Sequence, residues 1–185
     1  PAGGGAASPS RARPSRARSP PSSEALRVQQ ASADALLESL AECCDGFISD
    51  QLSLCLQSAT LAEKAGADDE MIFGALMHDV GKAISVPNHG AISAEMIQPY
   101  VRDDVYLAIK NHQDFQGMHY YGHFGAPTDL RHTKYDSSEP WWQLCATFTD
   151  DWDQQAFDPE AETYPLEHFE PLIRTITAET KNSLG

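Results

Sequence analysis

Apolar residues recur at helical spacing through most of this chain. The segment after residue 50 shows the pattern most clearly. One face of the helix that it predicts is lined by Leu52, Cys55, Leu56, Ala59 and Ala62. Leu54 and Leu61 lie on the opposite side of the same helix. We therefore predict a central helix with two apolar faces, closed by Gly66.

The same periodicity predicts helices along the rest of the chain and no convincing β-strand. Ser32-Ala33-Asp34 is predicted to cap the first helix and Ser49 or Asp50 the second, because short polar side chains accept hydrogen bonds from a first turn. The predicted helices span residues 35–42, 49–65, 68–79, 91–97, 103–110, 140–154 and 166–179. The predicted fold class is therefore all-α, a helical bundle.

Residues 1–23 differ in composition from the rest of the chain. They are almost entirely Pro, Ala, Gly, Ser and Arg. Because such a segment cannot build an apolar core, we predict a disordered leader followed by a single helical domain over residues 24–185. The leader is rich in Arg and Ser and has no acid, as organellar transit peptides are. A linker and a part of a longer precursor are the alternatives.

Charge and cysteine content restrict the partners and the compartment. The net charge is −14, and the leader holds four of the 13 basic residues, so the helical part is more acidic still. Such a surface repels nucleic acid and anionic membranes, and no apolar run approaches the length of a membrane span. The cysteines show no CxxC spacing, which favours reduced thiols. We predict an intracellular location, cytoplasmic or organellar.

The strongest chemical signal is the pair His78-Asp79, which follows the apolar run 71–77 and precedes Gly81. Burial of such a pair is costly unless something pairs with it. A metal ion takes both side chains, since neutral imidazole and carboxylate suit iron, manganese and zinc. The alternative is an ordinary helix end, with His78 near the negative end of the dipole and Gly81 as the residue that ends the helix.

Other metal-binding residue types occur in similar positions. His89 opens the helix after the doublet, His112 follows the next helix, and Asp153 lies near the end of a later one, with Asp150 one turn earlier. Three helix junctions can converge on one pocket of a bundle. The alternatives are a helix cap for His89, an exposed dipole residue for His112 and a solvated acid for Asp153. Four further histidines are interpreted as surface or substrate-contact residues: His119, His123, His132 and His168.

The order of these residues resembles the HD-domain superfamily, named for a metal-binding His-Asp doublet in an all-α fold. His78-Asp79 matches the doublet, His89 and His112 match the two histidines that follow it, and Asp153 matches the late aspartate. Asp150 is the alternative for that last position. The resemblance implies an HD-domain helical bundle whose metal ligands are His78, Asp79, His89, His112 and Asp153.

Within this superfamily the chain is most similar to the oxygenase branch, which includes myo-inositol oxygenase and the diiron oxygenases that cleave organophosphonates. Lys82, three residues after Asp79, resembles the substrate-facing lysine of the inositol enzyme. The resemblance implies catalytic roles for Asp79 and Lys82, and the lysine would meet an anionic substrate. A surface lysine at a helix end is the alternative.

The chain departs from the family pattern in the helix before the doublet. The family has a histidine there, whereas the corresponding position by context is Leu54, and residues 49–65 contain no histidine. Because leucine cannot ligate a metal, one of two metal positions loses a protein ligand. The site then holds one ion well, holds a second weakly, or is inactive.

Three functional hypotheses follow from the resemblance. In the first, one or two iron ions activate dioxygen, Asp79 bridges them, and the substrate is a small hydroxylated molecule. In the second, manganese or magnesium polarises a phosphate ester, as in the HD phosphohydrolases. In the third, the chain is an inactive HD-fold binding protein. The histidines at 89 and 112 favour the first hypothesis, and Leu54 is evidence against it.

Residues 113–138 are rich in Gly, His, Tyr and Asp and predict a long loop. Loops of this length inside a compact domain often form lids or binding loops. We therefore predict that this one covers the metal pocket and excludes water. The residues predicted to touch the substrate are Tyr120, Tyr121, His123 and Arg131.

Overall fold

A computed structural model describes residues 23–40, 51–158 and 160–181, and these residues form helices without any strand. The α-helices are α1 (Ser23–Ser39), α2 (Gln51–Lys64), α3 (Asp69–Met77), α4 (His89–Ile97), α5 (Asp103–Tyr120), α6 (Leu130–Thr133), α7 (Pro140–Thr147) and α8 (Leu166–Thr177). The all-α prediction is confirmed. The predicted leader, apart from Ser23, and the predicted caps Ser49 and Asp50 lie outside the described residues.

Helix α3 forms the centre of the bundle. All residues from Met71 to Met77 are buried, and α2, α4, α5 and α8 pack around them. The Asp68 carboxylate starts the helix by accepting hydrogen bonds from the amides of its first turn at 3.1 and 3.2 Å. Gly74 allows α5 to approach closely, because a Cβ atom there would lie 2.9 Å from Val105 Cγ1. None of the helices in the described ranges is long and apolar enough to cross a membrane.

The first helix is longer than predicted. Helix α1 runs without a break from Ser23 to Ser39, so Ser32-Ala33-Asp34 lies inside the helix and the predicted cap is wrong. Ser32 Oγ donates instead to the Val28 carbonyl oxygen at 2.8 Å, one turn earlier. Residues 25–31 contain mostly good helix formers, which explains why the helix begins before this serine.

The predicted long loop at 113–138 is also wrong for its first part. Helix α5 continues to Tyr120, because one buried stripe extends through the helix. That stripe consists of Val105, Ala108, Ile109, His112 and Phe115. Gly117 does not break the helix, and it makes room for a neighbouring ring, since a Cβ atom there would lie 2.4 Å from Tyr121. A 3₁₀ helix at Tyr121–Phe124 and the short α6 follow.

Helix α7 passes into a π-helix at Phe148–Asp153. The hydrogen bond from Gln154 N to Thr149 O, 2.9 Å long, spans the five residues that define this geometry. The Thr149 hydroxyl donates to backbone carbonyls one turn earlier, which bends helices. Short π-helices occur frequently at functional sites, and this one carries both candidate late carboxylates.

Candidate metal centre

The structure brings together the five residues that the sequence singled out as metal ligands. These residues are between 0% and 5% exposed. The doublet follows the last residue of α3, and the other three residues come from α4, α5 and the π-helix. The five residues are His78, Asp79, His89, His112 and Asp153.

The turn after the doublet is pinned against α4. It forms a 3₁₀ helix at Val80–Ala83, and Gly81 N donates to the buried Ser93 Oγ at 2.9 Å. A Cβ atom at Gly81 would lie 2.3 Å from the His89 carbonyl oxygen. Gly81 therefore serves close packing against His89. The suggestion that it ends α3 is wrong, because it lies inside the 3₁₀ helix and lacks the positive φ of a helix-ending glycine.

All three imidazoles are oriented by the same kind of hydrogen bond. The Nδ1 atoms of His78, His89 and His112 each lie 2.7 Å from a carbonyl oxygen three residues earlier. Because a carbonyl oxygen only accepts, each Nδ1 carries the hydrogen and each Nε2 faces the cluster. Histidines that ligate metals are usually oriented in this way.

Two spaces within the cluster could each hold an ion, and we call the space between His78, Asp79 and Asp153 position A. His78 Nε2 lies 3.3 Å from Asp79 Oδ2 and 3.3 Å from Asp153 Oδ1. Within the described residues, His78 Nε2 and both Asp153 oxygens have no hydrogen-bond partner, although all are buried. An unsatisfied buried polar atom costs about 1–3 kcal/mol, and more when charged. A cation at position A would satisfy all three atoms.

The space between Asp79, His89 and His112 is position B. Asp79 Oδ1 lies 3.2 Å from His89 Nε2 and 3.6 Å from His112 Nε2. The two Nε2 atoms are 3.2 Å apart. With hydrogens on both Nδ1 atoms, two nitrogen lone pairs face each other at this distance, and a cation between them would relieve the repulsion. Asp79 therefore presents one oxygen to each position.

The charge states of the cluster suit a bound cation. Burial alone would lower the pKa of His78, but Asp79 and Asp153 outweigh it and hold that pKa well above its ordinary value. Burial would raise the pKa of Asp79, whereas His78 and Lys82 hold it well below the usual range. Burial lowers the pKa of His89 to about 4. His89 is thus neutral at physiological pH, and an ion at position A would replace the His78 proton.

Lys82 lies beside Asp79 at the edge of the cluster. Its Nζ donates to Asp79 Oδ2 at 2.5 Å and to Gln51 Oε1 at 2.6 Å, and its side chain is 10% exposed. The lysine thereby links the cluster to an open space above it. The catalytic role predicted for Lys82 remains a prediction.

A cavity of about 730 Å³ opens above the cluster. Leu54 and His89 are its buried residues, and Lys82 is half-buried beside them. Three of the four predicted substrate contacts also line it, namely Tyr120, Tyr121 and His123. The segment 120–126 therefore lies over the centre, although it forms a helix end and a 3₁₀ helix where a loop was predicted.

The fourth predicted contact, Arg131, points elsewhere, and that prediction is wrong. Its buried guanidinium makes two hydrogen bonds to the Asp150 carboxylate, of 2.8 and 2.7 Å, and a third to the Phe115 carbonyl oxygen. His119 Nε2 also lies 2.9 Å from Asp150. The hydrogen bonds from Arg131 hold the pKa of Asp150 below its usual range. The Asp150 carboxylate is therefore bound by Arg131 and His119 outside the cluster, whereas Asp153 faces position A.

Alanine substitutions of Asp150 and Asp153 are expected to differ in their effects on stability and on metal affinity. Asp150→Ala leaves the buried Arg131 guanidinium without its carboxylate, so the free energy of unfolding should fall by about 3 kcal/mol while metal affinity is retained. Asp153→Ala removes the carboxylate that faces position A but leaves the Arg131–Asp150 pair intact, so metal affinity should fall while stability falls less than in Asp150→Ala. Urea unfolding and Mn²⁺ titration calorimetry measure the two effects. Loss of metal binding in Asp150→Ala alone would identify Asp150 as the late ligand.

Sequence reasoning missed several residues of the site. The Phe148 ring packs on the rings of His78 and His112, with centroids 5.2 and 6.0 Å away. Gln51 holds Lys82, and Gln154 and Phe157 line the cavity. Among these residues, only Gln154 could have been proposed from the sequence, because it directly follows Asp153. The others depend on packing between elements that are distant in the chain.

Comparison with known proteins agrees with this geometry. The family model described as the HD domain matches residues 53–154, which is more than half of the chain and includes all five clustered residues. A search of curated proteins finds no match. Within the described residues, ligand atoms of His78, Asp79 and His112 lie within 4.8 Å of one another, a grouping that can hold a metal ion.

Proposed function

The chain belongs to the HD-domain family, and we propose that it is a non-haem iron oxygenase-like enzyme acting on a small hydroxylated molecule. The observation that carries the proposal is the donor set of position B. Two imidazoles, from His89 and His112, and one carboxylate, from Asp79, converge there from three elements. Two histidines and one carboxylate with open positions are typical of non-haem Fe(II) oxygenases.

Position A would hold a second ion less completely. It offers one imidazole, from His78, and the carboxylates of Asp79 and Asp153. Leu54, at the position where the family has a histidine by resemblance, adds no ligand. Bound iron would supply the activation of dioxygen, which protein side chains alone do not perform.

The residues of the cavity would bind and orient the substrate. The Lys82 ammonium is fixed by Asp79 and Gln51 at the cavity floor, where it can donate to a substrate oxygen. Burial, followed by the neighbouring Tyr121, raises the pKa of Tyr120, so its phenol stays neutral and can donate a hydrogen bond. The Leu54 side chain excludes water from the floor.

An HD-type metal-dependent phosphohydrolase is the second candidate. Two observations favour it: the missing ligand at Leu54, and the position of Lys82, where it can meet a phosphate oxygen. The cavity argues against a multiply charged ester, because Lys82 is the one Lys or Arg among its described lining residues. Manganese or magnesium would then take the place of iron.

Metal analysis and spectroscopy of protein purified without chelator test the proposal. We expect bound iron, by Mössbauer spectroscopy, and an EPR signal after addition of nitric oxide, which binds ferrous iron where dioxygen would. Lys82→Met should retain the iron, since it changes a substrate contact. Bound manganese or magnesium with turnover of a chromogenic phosphate ester would favour the phosphohydrolase. Protein that takes up no metal would be an inactive HD-fold binding protein.

A further inference from the structure

The walls of the cavity point to a narrower substrate class. Resting on the proposed function, we propose that the substrate is amphipathic. Its hydroxylated head would lie at Lys82, and an apolar tail would extend along the cavity to the mouth at Val86 and Phe124. The tail distinguishes this substrate from a sugar or another compact polyol.

Burial increases from the mouth of the cavity to its floor. At the floor, the side chain of Lys82 is 10% exposed and Leu54 is 1% exposed. At the mouth, Val86 is 53% exposed and Phe124 is 79% exposed. The cation and the candidate metal positions are therefore at the closed end, and two large apolar side chains are at the open end. A ligand that follows this gradient has a polar head and an apolar tail.

An aromatic wall joins the two ends. The rings of Tyr120 and Tyr121 meet edge to face with centroids 4.9 Å apart, and the Phe124 ring meets Tyr120 in the same way at 6.5 Å. All three line the cavity, with Phe157 also contributing. Polar atoms placed against aromatic faces lose water contacts without replacement, whereas a tail gains from leaving water.

The size of the cavity supports the same conclusion. A volume of about 730 Å³ lies within the range that encloses drug-sized ligands. A compact hydroxylated head near Lys82 would leave most of this space filled by water against apolar walls. A tail of several methylene groups would fill it.

Ile84 provides a control for the exposed side chains at the mouth of the cavity, Val86 and Phe124. Single exposed apolar residues are common and carry no meaning by themselves. Ile84 is 66% exposed, close to the other two values, yet it does not line the cavity. Val86 and Phe124 differ from Ile84 because a ligand in the cavity would cover them.

Titration calorimetry on the full chain loaded with Mn²⁺ tests the proposal. The probes are the terminal vicinal diols of butane, hexane and octane, which share one head and differ in tail length. We expect affinity to rise about fourfold for each added methylene. Val86→Ser and Phe124→Ser should remove most of the gain for the octane diol and leave the butane diol unchanged, whereas Ile84→Ser should change neither.

Several outcomes would overturn the proposal. They are the absence of binding by any diol, affinity that does not depend on tail length, and a gain that survives in both serine variants. A dimer in sedimentation that Phe124→Ser dissociates would also overturn it, because a second copy would then cover the mouth. The iron and nitric oxide measurements are independent: tail-dependent binding without iron would retain the substrate class and reject the oxygenase.

Discussion

Asp79→Asn is expected to abolish metal binding at both positions at once. Asp79 is the residue that faces both sets of ligands, with Oδ1 toward His89 and His112 and Oδ2 toward His78. Asparagine keeps the shape and removes the charge. Substitutions of residues that only support a ligand cost about 10–100-fold in metal affinity, so loss of this shared ligand should exceed about 100-fold.

The same substitution should also lower the stability of the metal-free protein. The Lys82 ammonium would lose the negative charge of the carboxylate that accepts from it at 2.5 Å, and a hydrogen bond between charged groups contributes about 1.5–3 kcal/mol. Metal content by mass spectrometry, Mn²⁺ titration and urea unfolding measure these effects. Asp151→Asn is the matched control, because Asp151 is exposed on the same π-helix. Retention of one tight metal equivalent in Asp79→Asn would show that Asp79 is not shared.

Much of the site could be predicted because its chemistry is local in the sequence. His78-Asp79 is contiguous, and its cost of burial is visible without a structure. His89 and His112 were found as polar residues at predicted helix junctions and by resemblance. For His89 the structure agrees, since it is the first residue of α4. His112 is different, because it lies inside α5.

The course of α5 was missed because glycine and aromatic content was given more weight than periodicity. Val105, Ala108 and Ile109 form a stripe that His112 and Phe115 continue without interruption. This pattern was present in the sequence and predicts a helix through residue 115. A glycine at 117 suggested a loop, whereas its role is to admit the Tyr121 ring. The reason for a small residue there is visible only in three dimensions.

The choice between Asp150 and Asp153 could not be made from the sequence. Their spacing of three residues places two α-helical side chains on neighbouring faces. The π-helix changes that relation, because its hydrogen bonds span five residues and each residue turns less about the axis. Arg131, nineteen residues before Asp150, then fixes Asp150 outside the cluster. Neither the π-helix nor this ion pair can be predicted from the residue types around Asp150 and Asp153.

Leu54 lies on the side of the cluster that position A occupies. Helix α2 packs chiefly against α3 and the π-helix, the elements beside His78 and Asp153. The thiol of the next residue, Cys55, contacts His78, and burial raises its pKa against the influence of that histidine. Leu54 itself is buried at the cavity floor. An imidazole at this position would therefore add to position A and leave position B unchanged.

Leu54→His is accordingly expected to raise metal stoichiometry from close to one tight equivalent toward two. In the natural chain, position B has two imidazoles and a carboxylate. Position A has one imidazole and two carboxylates, and one of these carboxylates, Asp79, also accepts from Lys82. A second imidazole would strengthen position A without changing the net charge. Stability without metal should fall modestly, because a buried imidazole then lacks a partner.

The measurement is metal stoichiometry of both forms after loading with iron or manganese, with Mössbauer spectra to detect coupling between two irons. Leu56→His is the matched control, since it makes the same substitution on the opposite, half-buried face of α2. It should bind as much metal as the natural chain. If Leu54→His also binds no more than the natural chain, the position of the family's first histidine has been assigned to the wrong residue. The weakness of position A would then have another cause, the Lys82 ammonium that already lies 2.5 Å from Asp79 Oδ2.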